Sequence, residues 1–235
     1  MSLPNPPHFT EPTTNYWQET LPSTSIIKAP PYQYSVQVNL PDTRILELPI
    51  RQLPNEPTKA VASLLVNHAS MQVVEELGTF LANLIRPYKP DIIIGLPTLG
   101  LSLAPTVAKY LGHTRYIPMG YSKKFWYMED LSTAVSSITS PGIGEKRVYL
   151  DPHLLPLVRG KRVAIVDDAV SSGSTLSAVW NLLEELCSEI CVCGVVMMQG
   201  RKWEEVLGEE RSSKLVCVFE SPLLKAVEGG WDLRD

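Results

Sequence analysis

The chain has no apolar run approaching the roughly 18 residues of a membrane-spanning helix, so no membrane partner is expected. It has no surplus of positive charge either. Its 21 Lys and Arg stand against 25 Asp and Glu, a formal charge of −4, which argues against nucleic acid as the main partner. The opening residues, MSLPNPPHFTEPTTNYW, contain neither a basic region nor an apolar core, so they do not read as a secretory leader and a cytoplasmic location is expected. Cysteine is scarce. Cys187, Cys191, Cys193 and Cys217 have no histidine nearby to complete a zinc set, and Cys191 and Cys193 alternate within the apolar run ICVCGVVMM, so buried structural thiols are expected rather than a metal or redox site. None of His8, His68, His113 and His153 stands beside a Ser or Cys in a nucleophile setting, which leaves a hydrolase triad without support. Neither a GxGxxG turn nor a GxxxxGK[ST] loop is present, which disfavours other nucleotide-binding α/β enzymes.

What the chain does contain centres on residues 162–176, RVAIVDDAVSSGSTL. The β-branched run 163–166 predicts a strand buried in a parallel sheet. Two acids, Asp167 and Asp168, follow at once, then a turn of small residues, then helical spacing over 176–186. A turn between a strand's carboxyl end and a helix's amino end is where open α/β sheets bind ligands. Backbone N–H groups and the positive end of the helix dipole suit an anion there, and Ser171, Ser172, Ser174 and Thr175 add hydroxyl donors. The acids cannot bind that anion, but they can accept hydrogen bonds from sugar hydroxyls or help to hold a divalent cation. The combination describes a site for a ribose bearing a 5-phosphate. The plainer alternative is that the Ser and Thr residues are helix caps and the Asp pair only ends a strand.

The run VAIVDDAVSSGSTL resembles the phosphoribosyl pyrophosphate (PRPP) signature of the type I phosphoribosyltransferases, in which apolar residues lead to two acids and a Thr-Gly-x-Thr-like turn. Here Ser172-Gly173-Ser174-Thr175 fills that turn, with a hydroxyl kept at its first position. The resemblance implies that Asp167 and Asp168 are the catalytic pair, holding the ribose hydroxyls and the developing cation. It also implies that Ala169, Val170, Ser171, Ser172, Gly173, Ser174 and Thr175 bind the 5-phosphate.

A second strand, turn and helix is predicted over 91–111. Its turn, Gly95-Leu96-Pro97-Thr98-Leu99-Gly100, is similar to the Gly-Leu-Glu-x-x-Gly pyrophosphate loop of the adenine and xanthine enzymes. It departs from them at Pro97, where they carry an acid, and at Leu99, where adenine enzymes often carry Arg. Thr98, Leu99 and Gly100 would bind pyrophosphate through their backbone. Lys123 and Lys124 follow the strand candidate 115–118 as the family's basic pair, with a solvated surface pair as the alternative. The polar, Pro- and Gly-containing stretch 132–146 reads as a loop with no pattern of its own. By resemblance it is the mobile flap over PRPP, to which Lys146 and Arg147 bring positive charge.

Around this core, 34–40 and 44–48 predict a hairpin outside the main sheet. Apolar spacing predicts a helix over 69–85, and further strands are expected at 190–198 and 215–219 about a charged helix at 201–211. The fold class is therefore α/β: a central, mostly parallel sheet flanked by helices, with a small hood. Residues 1–31, rich in Pro, form an extended arm, and 32–235 form the phosphoribosyltransferase domain with hood elements from both ends. Trp231 or Phe219 could stack on a base, with simple packing as the alternative. The base-binding residues are otherwise unassigned. The resemblance, strongest over 66–219 and closest to the purine enzymes, implies transfer from PRPP to a nucleobase, a purine, in a homodimer. It also implies Mg2+, held indirectly by Asp167 and Asp168 through ribose and pyrophosphate oxygens. A non-catalytic PRPP sensor on the same fold is the rival, favoured by Pro97 and Leu99.

Overall fold

The computed structural model describes residues 14–135 and 146–234. Two five-stranded sheets organise them. The main sheet is built from β4 (Ile92–Gly95), β5 (Ile117–Pro118), β8 (Arg162–Val170), β9 (Glu189–Gln199) and β10 (Leu215–Ser221). Its order is β10-β9-β8-β4-β5 and every pairing is parallel. Four helices cross between or flank these strands: α1 (Met71–Ile85), α2 (Gly100–Tyr110), α3 (Ser174–Glu184) and α4 (Lys202–Ser212).

The sheet buries both faces, which is why its strands read as nearly continuous apolar runs. Along β8 the side chains alternate between two cores. Ala164 and Val166 pack with Leu77, Leu81 and Ile85 of α1 and Leu103 and Val107 of α2. Val163 and Ile165 pack with Val179 and Leu183 of α3. Helix α1 begins where the sequence has a cap, Ser70 Oγ accepting from the Val73 N–H at 3.1 Å and satisfying one of its orphan donors.

The second sheet is antiparallel: β1 (Ser35–Asn39), β2 (Ile45–Leu53), β3 (Glu56–Ala62), β11 (Leu223–Val227) and β12 (Gly230–Arg234), in the order β1-β2-β3-β11-β12. The expected hairpin is β1 and β2, paired from Ser35↔Pro49 to Asn39↔Ile45. Strands β3, β11 and β12 were not foreseen. Their pairings join residues far apart in sequence, such as Leu223↔Val61, which no local pattern specifies. Gln199 ties this hood to the main sheet, donating to the Ala62 carbonyl at 2.7 Å.

One expectation requires correction. The stretch 132–146 is not patternless throughout. Ser132–Val135 (β6) and Lys146–Tyr149 (β7) form an antiparallel ladder, stabilised because Val135 and Val148 enter the core. The remainder, 136–145, lies outside the described residues. Of the two readings of Trp231 and Phe219, packing is the one the structure supports. Their exposures are 0% and 5%, both in the core, so packing is their role.

All four cysteines are free thiols, two of them buried, and burial is the first cause raising each above its ordinary range. No helix among the described residues is long and apolar enough to cross a membrane.

Residues 14–31 lie against the hood, with Leu21 bridging Ile45 in both directions. Trp17 is only 2% exposed and sits at φ 62, a left-handed conformation that a bulky residue keeps only when its surroundings enforce it. Its carbonyl accepts from the Ser70 N–H at 3.0 Å, linking this segment to the start of α1. Trp17→Ala is therefore expected to cost about 3 kcal/mol, read as a lowered urea midpoint. A loss below about 1 kcal/mol would show that the segment is not anchored there.

Candidate active site

Strand β8 carries Asp167 and Asp168 to the carboxyl edge of the parallel sheet, between α2 and α3. Both are partly buried. The Asp168 N–H donates to Asp167 Oδ1 at 2.9 Å, and the Gly100 N–H also donates to the Asp167 carboxyl. Burial pushes Asp167 well above the usual carboxylate range, and the Asp168 charge adds to it. Burial also raises Asp168, but a hydrogen bond from Asp167 and the N–H groups of Asp168 and Ala169 hold it lower. Asp167 is therefore the more strongly raised of two interacting acids, and the two titrate as a pair.

The contact with Gly100 joins two loops. A Cβ on Gly100 would stand 2.7 Å from the Val166 carbonyl oxygen and 2.8 Å from Asp167 Cα, so only glycine allows the start of α2 this close to β8. Upstream, Leu96 N–H donates to the Val166 carbonyl at 2.9 Å, and the Pro97-Thr98 peptide is cis. Thr98, Leu99 and Gly100 then lead into α2, whose first turn has neither a side-chain cap nor an acid. The Leu99 side chain packs on the core and brings no charge to the loop.

On the other side of the pair, the predicted turn is shorter than expected. Ala169 and Val170 belong to β8, because the ladder with β9 continues through Ala169↔Met197 and Val170↔Met198. Val170 is 4% exposed, so its side chain serves the core. Ser171, Ser172 and Gly173 form the turn, and Ser174 and Thr175 open α3. This helix also has no side-chain cap and no acid in its first turn. Ser172 Oγ lies 3.2 Å from Ser174 Oγ, so the hydroxyls face one another across the turn. Gly173 has φ +78, and a Cβ there would come within 3.0 Å of Trp203 Cα.

The cations fall into separate places. Lys123 pairs with Glu129, which Arg147 also approaches at 3.6 Å, while Arg147 Nη2 donates to Ser132 Oγ at 2.9 Å. Lys124 is exposed. Lys146 stands with its ammonium 3.7 Å from the Tyr121 ring centroid.

Three contributors were invisible to sequence reading: the close approach of Gly100 to Asp167, the Trp203 wall behind Gly173, and Tyr121, whose hydroxyl donates to the Pro97 carbonyl at 2.8 Å. Each is a contact across 24 residues or more.

The model of the phosphoribosyl transferase domain matches residues 61–219. This chain belongs to the phosphoribosyl transferase domain family. The match runs from β3 to β10, taking in both loops but leaving β1, β2, β11 and β12 outside. The adenine phosphoribosyltransferase of Oenococcus oeni is 29% identical over 163 residues, covering 65% of this chain and 86% of that protein. Adenine phosphoribosyltransferase 5 of Arabidopsis thaliana is 25% identical over 162 residues, covering 67% and 79%. In fold, the adenine phosphoribosyltransferase structure from Thermoanaerobacter pseudethanolicus superposes with a TM-score of 0.56 at 17% identity, covering 74% of this chain and 95% of that one. That from Rhodothermus marinus gives 0.55 at 16%, covering 74% and 93%. The expected type I phosphoribosyltransferase fold, with its parallel sheet and antiparallel hood, is therefore the observed one.

The raised carboxyl of Asp167 sets a sign for stability. Its protonated form is favoured by folding, so its contribution is complete below the ordinary aspartate value of about 4 and is lost as pH rises through the raised one. Asp167→Asn keeps an acceptor without the ionisation. It is expected to melt a few degrees above the parent at neutral pH, at roughly 2–4 °C per kcal/mol, with the gap closing near pH 4. An equal gap at both pH values would refute the assignment. Gly173→Ala is expected to lower the melting point at any pH, because strain and the Trp203 contact do not titrate.

Proposed function

We propose that this chain joins a purine base, adenine-like by kinship with the adenine enzymes, to the ribose of PRPP, giving a nucleoside monophosphate and pyrophosphate. One observation carries the reading: two adjacent raised carboxyls, Asp167 and Asp168, between the amino ends of α2 and α3, neither of which has an acid in its first turn. A 5-phosphate on one side of a ribose and a pyrophosphate on the other would meet these two positive ends, with the sugar between them at the acids.

In this reading the N–H groups at the start of α3 and the hydroxyls of Ser171, Ser172, Ser174 and Thr175 take the 5-phosphate. The backbone of Thr98, Leu99 and Gly100 takes the pyrophosphate, with Lys123 and Lys124 as exposed cations of the same region. A base nitrogen attacks C1 of the ribose, and the C1–O bond to pyrophosphate breaks with its electron pair on the leaving group. Positive charge develops on the ribose ring, and the negative charge of the acid pair stabilises it while Asp167 and Asp168 hydrogen-bond the sugar hydroxyls. Phosphates fixed at both ends of the ribose hold C1 in line between base and leaving group.

A divalent cation fits the chemistry of the pair, because charge brought near two desolvated carboxyls recovers lost solvation. The protein cannot cage it alone: among the described residues, no cluster of three or more His, Cys, Asp or Glu is placed to do so. Asp167 and Asp168 would hold Mg2+ through ribose and pyrophosphate oxygens, where it neutralises the leaving group. Cytoplasmic placement and assembly as a homodimer belong to the same reading.

The test is a panel of purine and pyrimidine bases with PRPP and Mg2+, read by pyrophosphate release. Turnover with adenine is expected, and Asp168→Asn is expected to lower kcat/KM for PRPP by about 100-fold or more. PRPP binding without release across the whole panel would leave the sensor as the function.

A further inference from the structure

The pyrophosphate loop has a charge deficit, since the Leu99 side chain is spent on the core. One half-buried ring lies against that loop. Tyr121 donates its hydroxyl to the Pro97 carbonyl at 2.8 Å, one peptide before Thr98, and thereby fixes the direction in which the loop leaves β4. The opposite side of the same residue holds a cation, the Lys146 ammonium, 3.7 Å from the ring centroid. Among the described residues Lys146 has no carboxylate within ion-pair reach, whereas Lys123 and Arg147 share Glu129. Its charge is therefore unspent. The ring also feels the catalytic pair, because the charges of Asp167 and Asp168 follow burial as causes raising its phenol.

We infer that Tyr121 is a positioning residue whose hydroxyl sets the pyrophosphate loop and whose ring seats Lys146 as the loop's positive charge, replacing the cation absent at Leu99. The inference rests on the PRPP reading given above. It assigns the recognition of an anionic leaving group to two residues from separate segments, one after β5 and one opening β7. Cation–π seating costs Lys146 little of its charge, so the ammonium stays available to a phosphate oxygen while its position is restricted.

The experiment measures PRPP affinity by calorimetry with Mg2+, and KM for PRPP and for the base, in the parent and five variants. Tyr121→Phe removes the hydroxyl and keeps the ring, and a 2- to 10-fold rise in the PRPP Kd and KM is expected. Lys146→Met is expected to raise both about 5- to 30-fold, and Lys146→Arg to restore them to within about 3-fold. Tyr121→Leu and the double variant Tyr121→Leu/Lys146→Met are expected to match one another, because without the ring Lys146 is no longer seated and its removal costs nothing more. In all of them KM for the base stays within about 2-fold of the parent, a split that a general loss of structure would not give. Parent-like PRPP affinity in both Lys146→Met and Tyr121→Phe would overturn the inference while leaving the function intact. A parent that binds no PRPP would overturn the functional reading and this inference together. Should Tyr121→Leu melt below the assay temperature, the Phe and Met variants, which leave the ring or the fold in place, decide the matter.

Discussion

The constraint on which the rest depends is the burial of two adjacent carboxyl groups at the end of one strand. A charge taken from water must be compensated or neutralised, and β8 meets that demand in two ways. Burial raises both, Asp167 more strongly, and Asp168 receives the N–H groups of Asp168 and Ala169 and a hydrogen bond with Asp167, which hold it lower. The Gly100 N–H completes the set by pointing at Asp167 from the other loop. The two loops are for that reason joined: the Gly100 N–H that opens α2 is given to the Asp167 carboxyl, a hydrogen bond that favours its ionised form.

Compensation within the protein is incomplete, and the incompleteness is useful. Helices α2 and α3 both start without a side-chain cap at the N-cap residue and without an acid in the first turn, although the Gly100 N–H is given to Asp167 and the Ser174 N–H to Ser172 Oγ at 3.4 Å. The site thus presents two positive helix ends beside a pair of buried acids. A ligand with phosphates at its ends and hydroxyls between them relieves all of these at once, and by mass action its binding also stabilises the folded chain. Stability given up at the site returns when the ligand arrives.

The hood follows a different logic. It is made from both ends of the described chain, and their attachment is tight: Tyr32 and Trp231 exchange backbone hydrogen bonds at 2.7 Å. A Cβ on Gly230 would fall 2.2 Å from the Tyr32 carbonyl oxygen, so this approach requires glycine. Trp231 then fills the interior beneath. Most of this sheet lies outside the stretch 61–219 that matches the family model, whereas both loops beside the acid pair lie within it.

How much of this was legible depends on the range of each interaction. Strands such as β4 and helices such as α1 were readable because burial on a regular face writes a period into neighbouring residues. The acid pair and the hydroxyl-bearing turn were readable because a strand, its terminal acids and the helix after it are contiguous in the chain. Strand β8 was read too short, ending at Val166, since Asp167 and Asp168 look like a terminus. Only pairing with β9 carries it on to Val170. Strands β11 and β12, the Trp203 contact with Gly173, and the seating of Lys146 on Tyr121 left no local trace, because each joins segments that meet only after folding. The sequence by itself determined the parallel core and the chemistry of a phosphorylated ribose site, through local periodicity and contiguous polar groups. The tertiary structure alone decided which carboxyl is raised further and where the cations stand, because desolvation and charge contacts depend on neighbours distant in the chain.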